Sequence, residues 1–94
     1  QLAQNNPERY LPDLATSLTN LGVTLSELGR LDEALPVTEE AVRIRRQLAQ
    51  NNPERYLPDL ATSLTNLGVT LSEHGREEEA QQAWEEIRRL GPSS

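Results

Sequence analysis

Apolar residues recur in the first quarter of the chain with the spacing of an amphipathic helix. At about 100° per residue they fall in one arc between Leu11 and Leu28. The members of this arc are Leu11, Leu14, Ala15, Leu18, Leu21, Leu25 and Leu28. Gly29 follows, and glycine is favoured just past a helix C-terminus. This pattern predicts a first helix, called helix A, that ends near Gly29.

Two starts are compatible with helix A, because prolines stand near its N-terminal end. In the first alternative, a short turn at Pro7 is followed by a main helix that Asp13 caps. In the other, one long helix runs from Pro7 and is kinked near Pro12. The sequence leaves both alternatives open.

A second apolar stretch predicts helix B, from near Asp32 to near Asn51. Its apolar residues fill a broader arc than those of helix A, as expected for a helix that packs on its hairpin partner and on a further helix. They are Leu31, Ala34, Leu35, Val37, Ala41, Val42, Ile44, Leu48 and Ala49. Pro36 lies in the first turn or just after it, where a missing backbone N–H is least costly.

The pattern then repeats at an offset of 46 residues. Residues 1–27 and 47–73 are identical, and 34 of 46 aligned positions match over the full period. Such self-similarity is typical of a linear array whose units occupy the same local environment. We therefore interpret residues 1–6 as the tail of a preceding helix B, 7–52 as a first repeat and 53–94 as a second.

The second helix B is more polar than the first. Gln81 and Arg88 stand where the first copy has Leu35 and Val42. A terminal helix with a polar outer face closes a solenoid and keeps it soluble. We expect a capped C-terminal end and an uncapped N-terminal end.

Both copies carry a spaced motif that resembles the tetratricopeptide repeat. Leu-x₂-Leu-Gly-x₂-Leu begins at Leu18 and again at Leu64, and an Ala-x₃ step then leads to Thr38 or Trp84. The period of 46 and Arg46 in place of a closing proline resemble the long-period arrays of kinesin light chains and bacterial signalling proteins. The resemblance implies an all-α solenoid of antiparallel hairpins with right-handed superhelical stacking, acting as a non-enzymatic scaffold.

The resemblance also implies a binding surface, because helix A lines the concave groove in this family. The residues opposite its core arc, or flanking them, are Thr16, Thr19, Asn20, Val23, Ser26 and Glu27, with Thr62, Thr65, Asn66, Val69 and Glu73 in the second copy. Related solenoids pair such an asparagine with the backbone of an extended peptide, since one amide both donates and accepts. The alternative is that Asn20 and Asn66 are solvent-exposed or bond a neighbouring helix. This face carries no cation, so we expect a neutral or basic segment rather than a C-terminal carboxylate.

Composition excludes several other classes of function. A net charge of −6 disfavours nucleic acid and anionic membranes, and the absence of Cys excludes thiolate metal sites. His74 is the only histidine, and we interpret it as a surface residue at a helix end rather than a metal ligand. No serine has an activating base beside it, so we expect no enzyme and no cofactor. Trp84 is interpreted as a packing anchor between helices, with an exposed anchor for a partner as the alternative.

The expected partner is a protein or extended peptide, or another copy of the chain. A homo-oligomer would form through the uncapped N-terminal end or by exchange of a hairpin about residues 48–58. The chain has no Met and begins with Gln1. We interpret it as a piece of a longer protein, with the cytoplasm as its default location.

Overall fold

Four consecutive helices build the fold. The computed structural model describes residues 7–90, and their side chains from residue 9 onward. The helices are α1 (Pro7–Glu27), α2 (Leu31–Asn51), α3 (Pro53–Glu73) and α4 (Glu77–Leu90), and each packs against the next. The all-α array of hairpins is therefore confirmed, with α1 and α3 as the A helices and α2 and α4 as the B helices. The expected tail at residues 1–6 lies outside the described residues, and the right-handed stacking stays a prediction.

Three of the helices contain a proline close to their N-terminal end. Pro12, Pro36 and Pro58 are each the sixth residue of α1, α2 and α3. At this position a proline removes only one hydrogen bond near the start of the helix, so each helix continues through it. A single long helix from Pro7 is thus confirmed for helix A, and its kink near Pro12 stays a prediction. Asp13 lies within α1 and does not cap it.

Glycine ends both A helices in the same way. Gly29 and Gly75 have φ of 80°, a left-handed conformation that costs glycine little. After α1 the N–H of Gly29 donates to the carbonyl of Ser26 at 3.0 Å, and the N–H of Arg30 donates to that of Leu25 at 2.8 Å. This pair of bonds is the Schellman motif, which satisfies the last helix carbonyls. The predicted glycine stop is confirmed.

Within each hairpin, one glycine lets the two helices approach closely. A Cβ placed on Gly22 of α1 would lie 2.4 Å from the Thr38 hydroxyl oxygen of α2. A Cβ on Gly68 of α3 would lie 2.6–2.8 Å from three ring atoms of Trp84 on α4. Trp84 is half-buried in this contact, in agreement with its interpretation as a packing anchor. The Leu-Gly pair of the motif therefore sets the distance between the helices of each hairpin.

We predict that Gly68→Ala lowers the free energy of unfolding by about 1–2 kcal/mol. Overpacking against a rigid indole outweighs the higher helix propensity of alanine. Gly22→Ala is the matched control and should cost less, because Thr38 turns one hydroxyl away more easily than Trp84 moves a ring. Urea denaturation followed by circular dichroism measures both. An equal cost for Gly68→Ala in a Trp84→Thr background would contradict the proposed clash, since contacting residues couple.

The main core lies where the first repeat meets the second. Val42, Ile44 and Leu48 of α2 pack in one cluster with Tyr56 and Leu60 of α3. A smaller cluster joins Leu35 of α2 to Leu71 of α3 and Ala80 of α4. The broad apolar arc of helix B is explained by these contacts, because α2 packs on α1 with one side and on α3 with the other.

A buried arginine joins the two repeats at this contact. Arg45 of α2 is only 8% exposed. Its guanidinium donates to the Ser63 hydroxyl at 2.8 Å, to the Asp59 carbonyl at 3.3 Å and to the Thr16 hydroxyl at 3.2 Å. Burial lowers the pKa of Arg45 from its ordinary value, and the charge of Asp59 opposes this effect. One charged side chain of α2 thus bonds both A helices.

Replacement of Arg45 by methionine should lower the free energy of unfolding by about 2 kcal/mol. The aliphatic stem is retained, but the Ser63 hydroxyl, which has no exposed surface, loses its charged donor. Arg43→Met is the control, because the side chain of Arg43 is exposed on the same helix and should change stability by less than about 0.5 kcal/mol. Chemical denaturation that finds equal costs at the two positions would contradict the role given to Arg45.

Candidate functional site

A groove lies between the two A helices. It has a volume of about 190 Å³, and Thr38 of α2 contributes to its wall. The lining residues are Gly22, Val23, Ser26 and Glu27 of α1, Thr38 of α2, and Asn66, Val69, Thr70 and Glu73 of α3. Two pairs of equivalent residues, Val23 with Val69 and Glu27 with Glu73, therefore line the same groove.

Space for this groove comes from a difference between the two hairpins. At the end of the Ala-x₃ step, the second repeat has Trp84 against Gly68, whereas the first has Thr38 against Gly22. Thr38 is buried and much smaller than an indole. Beside Gly22, which has no side chain, it leaves the inter-helix surface concave on the side of Val23 and Val69.

The groove combines apolar and acidic groups. Val23 and Val69 are 37% and 44% exposed, so the groove offers apolar surface to solvent. Glu27 and Glu73 lie one helical turn further along the same faces. The hydroxyl of Ser26 donates to Glu73 at 3.1 Å and orients that carboxylate. No Lys or Arg is among the described residues of the lining, so both carboxylates lack a cationic neighbour there.

The structure brings together part of the predicted concave face. Val23, Glu27, Asn66, Val69 and Glu73 line the groove, and so does the flanking Ser26. Asn20 is exposed and does not line it, whereas Asn66 is half-buried in its wall. The two asparagines are therefore not equivalent, although their local sequences are identical. Their pairing with a ligand stays a prediction.

The four threonines of the predicted face bond to the protein itself. Thr19, Thr62 and Thr65 donate to carbonyls four residues earlier in their own helices. The hydroxyl of Thr19 also lies 3.4 Å from that of Ser63, and Thr16 accepts from Arg45. None of these four lines the groove. Thr16 and Thr19 contact other helices, whereas Thr62 and Thr65 bond only within α3.

Gly22, Thr38 and Thr70 line the groove although they are absent from the predicted set. Gly22 and Thr38 belong to the repeat motif, and they also leave the space that the groove occupies. The sequence signal for this space was the small Thr38, which aligns with Trp84 of the second copy. Thr70 is buried whereas its counterpart Thr24 is exposed, and no local sequence pattern distinguishes two identical segments.

His74 contacts a carboxylate rather than a metal set. Its Nε2 lies 3.2 Å from the Asp32 carboxylate, which connects the end of α3 to the start of α2. Among the described residues, no group of three or more His, Cys, Asp or Glu side chains is arranged to hold a metal ion. Within residues 7–90, none of the helices has the length and apolar character that crossing a membrane requires.

Comparison with known protein families shows which family the helical array belongs to. The profile of the tetratricopeptide repeat matches residues 14–54 and 60–90, which is most of the chain and one match for each hairpin. The chain belongs to the tetratricopeptide repeat family. Tetratricopeptide repeats form non-enzymatic scaffolds that mediate protein–protein interactions, so the general class of function expected from the motif is confirmed. No curated protein and no solved structure matches the chain.

Proposed function

We propose that this tetratricopeptide repeat chain binds an extended segment of a partner protein in the groove between α1 and α3. The observation that carries the proposal is the pairing of two exposed valines with two carboxylates that have no cation in the lining. Such a surface favours an apolar side chain placed between Val23 and Val69. Its neutral or basic neighbours would face Glu27 and Glu73, because complementary charges favour association.

The size of the groove limits what it holds. Pockets for drug-sized molecules measure about 300–1,000 Å³, so a space of about 190 Å³ accepts one or two side chains rather than a whole small molecule. Asn66 lies in the wall and offers an amide that both donates and accepts, as a peptide backbone requires. Binding through so small a surface is weak for one site, because association must offset the lost freedom of both molecules.

The charge preference is tested with two synthetic nonapeptides. Each has a central Leu between Gly and Ser residues, and the Leu is flanked by Lys in one and by Glu in the other. We expect the Lys peptide to bind more tightly in NMR titrations of the ¹⁵N-labelled chain. Glu27→Gln combined with Glu73→Gln should weaken it by about threefold to tenfold at low ionic strength, since each exposed ion pair contributes about 0.2–1 kcal/mol.

A matched control removes the same charge elsewhere. Glu78→Gln combined with Glu85→Gln changes two exposed carboxylates of α4 that do not line the groove. This variant should bind the Lys peptide nearly as the original chain does. In the same titrations Asn66→Ala should weaken binding more than Asn20→Ala. Equal losses in the two glutamate variants, or tighter binding of the Glu peptide, would disprove the proposed site.

A second candidate is association between copies of the chain. It is favoured by the exposed Tyr10, Leu14 and Leu21 of α1, because burial of apolar surface contributes about 25 cal/mol per Å². In the structure α2 packs on α3 of the same chain, so exchange of a hairpin would reproduce these contacts between two copies.

Sedimentation equilibrium at increasing protein concentration tests this second candidate. We expect the average mass to rise above the 10.5 kDa of one chain towards a dimer. Leu14→Asp should shift the equilibrium back to the monomer, since it places a charge on the exposed apolar face. A constant mass of one chain up to millimolar concentration would show that the copies do not associate.

A further inference from the structure

Two buried threonine hydroxyls in the groove have no hydrogen-bond partner among the described residues. Thr38 and Thr70 are 3% and 4% exposed, and both line the groove. By contrast, Thr19, Thr62 and Thr65 donate to the carbonyls four residues before them. In the described part of the chain no side-chain polar atom is both cut off from solvent and unpaired, so the two hydroxyls retain contact with solvent. Because both residues line the groove, a molecule that occupies it can bond them.

One end of the groove is acidic, and apolar residues precede it. The hydroxyl of Ser26 on α1 donates to Glu73 on α3, so the two A helices approach each other at this end. Glu27 is the next residue of α1 and also lines the groove. Val23 and Val69 precede the two glutamates by four residues, which is about 6 Å along each helix. An occupant that lies lengthwise therefore meets apolar surface first and carboxylates one helical turn later.

The opposite end of the groove is polar and uncharged. Asn66 comes three residues before Val69 on α3, and Thr38 contacts α1 at Gly22, the residue before Val23. The Asn66 amide and the Thr38 hydroxyl both donate and accept hydrogen bonds, as a peptide backbone requires. The groove thus offers a place for backbone, a place for methylene groups and a place for a cation, in that order.

We propose that the groove holds one lysine side chain of the partner segment. The proposal rests on the function proposed above and specifies its anchor, because one residue supplies both the apolar stem and the charge. The stem lies between the two valines of the groove. The ammonium group has three donors, which meet three acceptors at Glu27, Glu73 and the Thr70 hydroxyl. The backbone of the lysine lies against Asn66 and Thr38.

The dimensions and the polar groups of the groove both favour this occupant. The four-carbon stem of lysine places its ammonium about 6 Å from the Cα, which matches the rise between the valines and the glutamates. A volume of about 190 Å³ is sufficient for one such side chain. A purely apolar anchor would cut the hydroxyls of Thr38 and Thr70 off from water and give them no partner, which is unfavourable.

Three nonapeptides that differ only at the central residue test the proposal on the unmodified chain. Gly and Ser residues surround a central lysine, norleucine or diaminobutyrate. Norleucine has the stem of lysine without the ammonium, and diaminobutyrate has an ammonium on a stem two carbons shorter. In NMR titrations of the ¹⁵N-labelled chain at low ionic strength, we expect the lysine peptide to bind at least about threefold more tightly than either. The largest shifts should occur at Val69, Thr70 and Glu73.

Thr70→Val tests the hydroxyl in the groove, because valine keeps the branched shape and removes the polar atom. This variant should weaken the lysine peptide by about threefold to tenfold and should not weaken the norleucine peptide. Thr24→Val is the matched control, since Thr24 has the same local sequence but is exposed and does not line the groove. It should leave both peptides unchanged. Circular dichroism checks that the two variants are folded.

The outcomes separate this proposal from the function on which it rests. Equal binding of the lysine and norleucine peptides would show that the cation contributes nothing. Equal binding of the lysine and diaminobutyrate peptides would show that the acidic surface attracts any cation. Either result overturns the lysine site, and so do equal losses in Thr70→Val and Thr24→Val. If the peptide with leucine between two lysines still binds at the groove, the proposed function stands with an apolar anchor. If neither that peptide nor the single-lysine peptide binds, both proposals fail.

Discussion

The close approach of two helices at a glycine is the contact on which each hairpin depends. Gly22 and Gly68 present no side chain to the B helix, so Thr38 and Trp84 lie where a Cβ would otherwise stand. Helices that approach this closely bury the small and medium residues of a chain with few aromatics. Glycine packs against threonine in one hairpin and against tryptophan in the other. The two hairpins therefore differ in shape although their A helices have identical sequences.

The difference between Thr38 and Trp84 connects packing to the candidate site. In the second hairpin the indole fills the space beside Gly68. In the first hairpin the smaller threonine leaves a concave surface that faces α3. The same position of the repeat thus packs between the helices in the second hairpin and lines the groove in the first. The groove exists because Thr38 fills less of the space beside Gly22 than an indole would.

Stacking between repeats uses a different chemistry from packing within a hairpin. The apolar side chains of α2 and α3 supply most of the buried surface, and Arg45 adds hydrogen bonds that require a particular register. Slippage of α2 by one residue would remove the guanidinium from the Ser63 hydroxyl and leave a buried polar group unpaired, which is unfavourable. Apolar contact therefore favours association of the repeats, and Arg45 specifies how they meet.

The sequence by itself determined the helices and their pairing. Periodicity, the terminal glycines and the 46-residue repeat are local signals. They predicted four helices and the glycine ends of the A helices, and they left the start of helix A open. They also predicted that Val23, Glu27, Asn66, Val69 and Glu73 share a face. Only the tertiary structure decided that Asn20 lies outside the groove, that Thr38 and Thr70 line it, and that Leu14 is exposed while Leu60 is buried. Identical segments carry identical local signals, so their differences arise from the neighbours that each helix has in space.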